Sequence, residues 1–292
     1  MALPVGIIDT HIHSAPDTTP RLLSDVEVAR QATDAGYRAV VLKSHRTETA
    51  GRAAIANEVV SGTEVLGGVA LNTHSTGGLV PSALETALLL GGRMVWLPTF
   101  ASANQVRFNR TGGNTEMIDV LGKVRDDGVH VVDEHGRPLP EVLEVIDMVA
   151  EASATLATGH ISADEIMTIV PEARRRGVQH VMITHPELDQ IALSIDQQAE
   201  LADLGGVWFE RVLVSTTVDG HHATLDDIRE SIRVLGAGST ILATDFGQPN
   251  NATPVDGMQQ FIDAMRERGC TQDEIEQMTC VNPATALGLE PR

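Results

Sequence analysis

Short apolar, β-branched runs alternate along this chain with longer stretches in which apolar residues recur every three or four positions. The short runs predict strands over 5–9, 39–43, 65–71, 94–97, 155–158, 180–184, 207–210 and 240–244. The longer stretches predict helices, and their ends are marked. Ser24-Asp25-Val26-Glu27, Ser162-Ala163-Asp164-Glu165 and Thr271-Gln272-Asp273-Glu274 each fit a capping box, in which side chains satisfy the first free amides of a helix. Gly36, Gly177, Gly236 and Gly269 stand where those helices should stop. Strand followed by helix, eight times over, argues for parallel strands with helices outside. The length of 292 residues suits a single (β/α)8 TIM barrel, which typically needs ~250.

One segment breaks the rhythm. After the fourth strand, the stretch over about 100–138 holds a loop-like portion at 107–114. The run from Gly128 to Pro138 reads as a small hairpin turning near His135-Gly136. An insertion on the βα side, within one domain spanning 1–292, is the simplest organisation.

Charge and composition narrow the partners. Lys and Arg number 21 against 40 Asp and Glu, a formal charge of −19, so nucleic acid and anionic membrane surfaces are repelled. Aromatics at 3% leave little for base stacking. Cys270 and Cys280 make neither a disulfide framework nor a Cys-x-x-Cys site. No signal-peptide pattern and no membrane-length apolar run is visible, so a cytoplasmic protein acting on a small molecule is expected. The helical exteriors leave a homo-oligomer open.

Chemistry concentrates where the strands end. Asp9-Thr10-His11-Ile12-His13 follows the first run; on a strand, positions i and i+2 share a face, so His11 and His13 can share one metal ion. The second strand ends in Lys43-Ser44-His45, and the third leads into Asn72 and His74. The fifth ends in Thr158-Gly159-His160 and the sixth in Thr184-His185-Pro186-Glu187. The seventh offers Glu210 and the eighth ends in Thr244-Asp245. The C-terminal ends of barrel strands are where such enzymes keep their chemistry. One imidazole is ordinarily a hydrogen-bonded core residue; a potential ligand at most strand ends points to a metal site.

This order, HxH after strand one, His after strands five and six, and Asp after strand eight, resembles the amidohydrolase superfamily. The closing Asn282-Pro283-Ala284-Thr285-Ala286-Leu287-Gly288-Leu289 is similar to the tail of many members. The resemblance covers nearly the whole chain. It implies that His11 and His13 bind a divalent metal, with zinc first and Mn, Fe or Co as alternatives. It implies that His160 and His185 are ligands or a substrate-polarising pair, and that Asp245 contacts the metal and moves protons. Many binuclear members carry a bridging carboxylated Lys or a Glu at the end of strand four. Trp96-Leu97-Pro98-Thr99-Phe100 offers neither. Either Lys43 is carboxylated and bridges two ions, with His45 as an added ligand, or the site holds one ion and Lys43 stays a cation facing the substrate or Asp245.

Softer candidates for substrate contact are Asn72, His74, Glu210 and His222, with His221 beside it. Arg46, Arg52, Arg107 and Arg110 could grip a carboxylate, although solvated surface arginine is the commoner role. The leading expectation is a metal-dependent hydrolase that directs activated water at a C–N bond in an amide or cyclic amide. Lactone or phosphoester hydrolysis obeys the same logic. A mononuclear decarboxylase of the same superfamily is the alternative, and a non-catalytic metal-binding barrel the last.

Overall fold

The computed structural model describes residues 3–111, 127–217 and 222–290. Nine strand segments run in chain order: β1 (Ile8–His13), β2 (Ala39–Lys43), β3 (Glu64–Leu66), β4 (Gly68–Ala70), β5 (Met94–Trp96), β6 (Thr155–Ala157), β7 (His180–Thr184), β8 (Val207–Val212) and β9 (Thr240–Ala243). Every ladder is parallel, in the orders β1-β2-β3 and β4-β5-β6-β7-β8-β9. Apart from β3 and β4, successive strands are connected by helices, giving the α/β TIM-barrel architecture that the alternating pattern predicts.

β3 and β4 are the two halves of the strand expected over 65–71. The break at Gly67 has a local cause. The Thr49 amide donates to the Gly68 carbonyl at 2.9 Å, and the Thr49 hydroxyl accepts from the Gly68 amide at 2.9 Å. A loop from the preceding unit thus occupies the ladder positions at the break. A Cβ on Gly68 would collide with the Met94 carbonyl, so only glycine lets the strand pass to its next neighbour.

On the other side, the chain just past β9 lies alongside β1. The Asp245 amide donates to the His11 carbonyl at 2.9 Å, and the His13 amide to the Phe246 carbonyl at 2.8 Å. Ile12 and Phe246 form a parallel bridge.

The first strand differs from its expected span of 5–9. Val5 is 89% exposed and Gly6 turns at φ 92°, so the strand starts at Ile8 and carries both histidines inside it. The region expected as loop at 107–114 is, over its described part, the helix Ala103–Arg110, capped by Ser102. Its apolar positions are too few to announce a helix. The expected hairpin survives as a single antiparallel bridge, Val132 to Pro138, with a turn at Asp133–Gly136.

All three predicted capping boxes form, at Ser24, Ser162 and Thr271. Apolar faces of the helices pack on the outward side chains of the strands in two large clusters. A third cluster fills the N-terminal end of the barrel interior. There Ile8, Val41, Met94, Trp96, Met182, Trp208 and Ile241 are buried with Ala284, Ala286 and Leu287 of the tail. Asn282 donates to the Ala237 and Thr240 carbonyls, and Thr155 donates to the Ala286 carbonyl at 2.6 Å. The tail therefore stoppers one end, and the polar strand ends gather at the other. Among the described residues no helix is long and apolar enough to cross a membrane.

Candidate metal centre

A shift of register within β1 makes the site. Ile8 packs in the barrel interior, and strict alternation would then turn His11 and His13 outward. The pairing with β2 slips between Asp9 and Ile12, and Ile12 joins the outer cluster instead. The slip re-aims both histidines inward, as bulges beside functional sites do.

Three donor atoms converge there. His11 Nε2 lies 3.1 Å and His13 Nε2 3.0 Å from the same Asp245 oxygen, Oδ1. The ligand atoms of the three residues all fall within 4.8 Å of one another, and all three residues are buried. Asp245 sits just past β9 with φ 54°, a left-handed conformation that side chains other than glycine rarely adopt. His185, past β7, is likewise at φ 34°. Such outliers gather at functional sites, where the surrounding structure holds them.

Further imidazoles extend the cluster into a ring. Centroid separations are 5.4 Å for His11–His13, 4.8 Å for His13–His45, 6.0 Å for His45–His160, 4.8 Å for His160–His185 and 6.2 Å for His185–His11. Lys43 Nζ is 3.0 Å from His11 Nε2. Burial holds all five imidazoles well below their ordinary range, His11 at about 3. Burial also lowers the Lys43 ammonium, against the opposing pull of Asp245 and Glu210, and raises the Glu210 carboxyl.

The outer partners orient the rings. Glu210 accepts from His11 Nδ1 at 3.0 Å and from the Thr10 hydroxyl at 2.6 Å. With Glu210 ionised the carboxylate accepts only, and His11 then carries its proton on Nδ1 and aims the Nε2 lone pair inward. Gln105 Oε1 lies 2.7 Å from His160 Nδ1, and Thr99 Oγ1 2.8 Å from His45 Nδ1. Among the described residues, His13 Nδ1 and His185 Nδ1 are buried without a hydrogen-bond partner. Asp9 clamps β1 to the end of β9: its oxygens accept from the His11 amide at 3.2 Å and the Thr244 hydroxyl at 2.6 Å. Burial pushes that carboxyl up to about 7.

These residues fit a divalent cation. With its proton on Nδ1, His11 turns an Nε2 lone pair toward the Asp245 carboxylate oxygen 3.1 Å away, a repulsion that a cation between them relieves. Burial resists protonating the imidazoles, so a proton is a poor candidate for that charge and a metal ion a good one.

Other expected residues fall elsewhere. Asn72 is buried beside the cluster, but its amide is engaged by the chain: Oδ1 accepts from the Thr99 and Ala101 amides, and Nδ2 donates to Thr99 Oγ1 and the His45 carbonyl. These bonds tie the loop after β5 to the His45 backbone. His74 is exposed on the short helix Thr73–Thr76. His222 is also exposed and bonds Asp189 at 2.7 Å. Neither joins the buried ring: both are exposed, His74 on that short helix and His222 on the segment before the helix Leu225–Leu235. His221 lies outside the described residues.

Arg52 is bonded to Asp25 and the Ser14 carbonyl, Arg107 to Asn104 and Arg110 to Asp127, while Arg46 is half-buried. Sequence reasoning gave no role to Asp9, Thr99 or Gln105. Asp9 stood in the first motif; Thr99 and Gln105 carry no spacing signal.

Over residues 6–210 the sequence matches DUF6282, a family of unknown function. The chain belongs to this family. The matched span includes every clustered residue except Asp245. No curated protein matches the chain. Solved structures do. An amidohydrolase from Pseudomonas aeruginosa is 12% identical over 97% of this chain and 95% of its own, with a TM-score of 0.64. A Pseudomonas putida protein provisionally named a 2-pyrone-4,6-dicarboxylic acid hydrolase is 14% identical over 99% and 100%, with a TM-score of 0.60. The 2,6-dihydroxybenzoate decarboxylase of Rhizobium is 12% identical over 98% and 99%, with a TM-score of 0.55. The likeness at these identities is one of fold, the α/β barrel that this chain shares with these enzymes.

Proposed function

We propose that this chain is a metal-dependent enzyme of the amidohydrolase type, a hydrolase that acts on a small polar substrate. The observation that carries the proposal is the convergence of His11 Nε2 and His13 Nε2 on Asp245 Oδ1 at the strand-end mouth of the barrel. His11, His13 and Asp245 would hold a divalent ion, zinc by preference, which would lower the pKa of a water to ~7 and so make hydroxide available at neutral pH. The remaining chemistry belongs to side chains. Asp245 accepts the proton of the attacking water and returns it to the leaving group. His185, whose Nδ1 has no partner among the described residues, and His160 face the same space and polarise the substrate carbonyl. Lys43, whose charged form burial disfavours, would either be carboxylated and help hold a second ion or act as a donor beside His11. His45 is placed to add a ligand or to bound the pocket.

Hydrolysis of a C–N bond in an amide or cyclic amide is the first reading, with lactone and phosphoester hydrolysis on the same machinery. Non-oxidative decarboxylation is the second. One observation favours it: the chain past β5 offers no bridging carboxylate or lysine, and Thr99 there is spent on His45 and Asn72. Two of the structural neighbours bear names of carboxylate-bearing substrates. A cytoplasmic location and a single domain over 1–292 complete the proposal.

Asp245→Asn tests it. Proton transfer by a positioned side chain contributes ~10²–10⁴-fold, so turnover should fall by at least ~10²-fold while most metal is retained. Undiminished turnover would refute the role of Asp245.

A further inference from the structure

The loop between β1 and the helix Asp25–Asp34 carries an arginine that neither the motifs nor the cluster account for. Arg21 is almost enclosed, with 8% of its side chain exposed, and Asp17 beside it is 1% exposed. Its Nε and Nη2 both donate to Asp17 Oδ2, at 3.1 and 3.0 Å. The other Asp17 oxygen accepts from the Thr19 amide at 3.3 Å. Nη1, on the far side of the guanidinium, makes no hydrogen bond among the described residues.

The loop is pinned against the mouth of the site. The Ala15 amide donates to the Leu23 carbonyl, and the Leu22 amide donates to the Gly247 carbonyl at 2.9 Å. Gly247 lies two residues past Asp245 and directly against the His13 backbone. At the loop's base, Arg52 binds both Asp25 and Ser14. Arg21 therefore stands next to the strap that joins His13 to Asp245. Its charge bears on His13 more than any other charge does, and also on His11, Lys43 and His45.

A flexible surface arginine would not be held in this way. Fixing one edge of the guanidinium on a buried carboxylate costs desolvation of both charges. What it gains is a donor edge whose position is set before any ligand arrives. We propose that Arg21 is the receptor for a carboxylate of the substrate, and that Asp17 is its positioning residue. The substrate class is then a small carboxylic acid, held by its carboxylate at Nη1 while the reacting group faces His11, His13 and Asp245. This rests on the metal-site reading given above. It goes beyond it by naming the substrate's charge and the residue that selects it.

The test uses the full chain, zinc-loaded and zinc-free, titrated calorimetrically with malonate and with its neutral counterpart malonamide. Wild type should bind malonate more tightly than malonamide. A charged hydrogen bond is worth enough that Arg21→Gln should weaken malonate binding by ~10–100-fold, leaving malonamide unchanged. Asp17→Asn should weaken malonate alone, a selectivity that a general loosening of the fold would not produce.

If R21Q fails to fold, Arg21→Lys serves, because it keeps a cation for Asp17 but loses the planar fork; it should cost ~10-fold in malonate affinity. Equal affinity of wild type and variant for malonate overturns the proposal, and so does a wild type that does not distinguish malonate from malonamide. Zinc content is measured separately. A wild type that takes up no zinc defeats the metal reading, while titration of the zinc-free chain still decides Arg21.

Discussion

Five imidazoles buried around one mouth make this protein acid-sensitive before any reaction is considered. His11, His13, His45, His160 and His185 all have their protonated forms disfavoured by burial. The unfolded chain takes up protons on them below about 6.5 and the folded one does not. Stability is therefore complete above that value and is lost as pH falls through it, at about 1.4 kcal/mol per pH unit for each histidine. Chelator-treated protein should lose thermal stability steeply between pH 6.5 and 5, as followed by circular dichroism. A melting temperature unchanged across that window would mean that the imidazoles are not held neutral. Glu210 acts one step outside the ring, by fixing the His11 proton on Nδ1. Partners of that kind typically matter 10–100-fold to metal affinity, so Glu210→Gln should weaken zinc by ~10–100-fold in a competition titration. Unaltered affinity would leave Glu210 as a substrate contact, the role its position at a strand end first suggested.

The elements show how much of this was legible. The 3.6-residue period, the short apolar runs, the capping boxes and the stop glycines specify helices and strands through local chemistry, and those elements form. Three features did not follow from local pattern. The register slip in β1 depends on pairing with β2 and β9, which no single segment encodes. The break between β3 and β4 depends on Thr49 reaching across from another unit. The helix Ala103–Arg110 buries Asn104, Gln105 and Asn109, so its inward face is polar and invisible to a hydrophobic pattern. The same reasoning explains why His11, His13 and Asp245 were findable and Gln105 was not. Ligand residues recur in an order along strand ends, whereas a partner to a ring nitrogen can come from any nearby loop. At the seam between β9 and β1, Gly247 adopts φ 141° and touches the His13 carbonyl. Gly247→Ala should destabilise the fold by ~2 kcal/mol or more in denaturant unfolding and weaken metal binding with it. Wild-type stability would show that the seam is slack.

At the scale of the whole molecule, the two ends of the barrel divide the labour. Apolar side chains and the Asn282–Ala286 tail fill one end, while the polar strand ends form the other. The chain carries −19 overall, yet Lys43 and Arg21 stand at or beside the cluster. That contrast suits capture of a small anion at the mouth. Side chains from β1, β2 and the segments past β6, β7 and β9 meet only because the strands come round together. Their common centre is the claim on which the rest depends. Metal analysis of the purified full-length chain, beside a His11→Ala/His13→Ala variant that keeps its fold by circular dichroism, tests it most directly. Tightly held divalent metal in the wild type, lost from the double variant, is the predicted result. A wild type that binds no metal, or a variant that keeps it in full, would contradict the account.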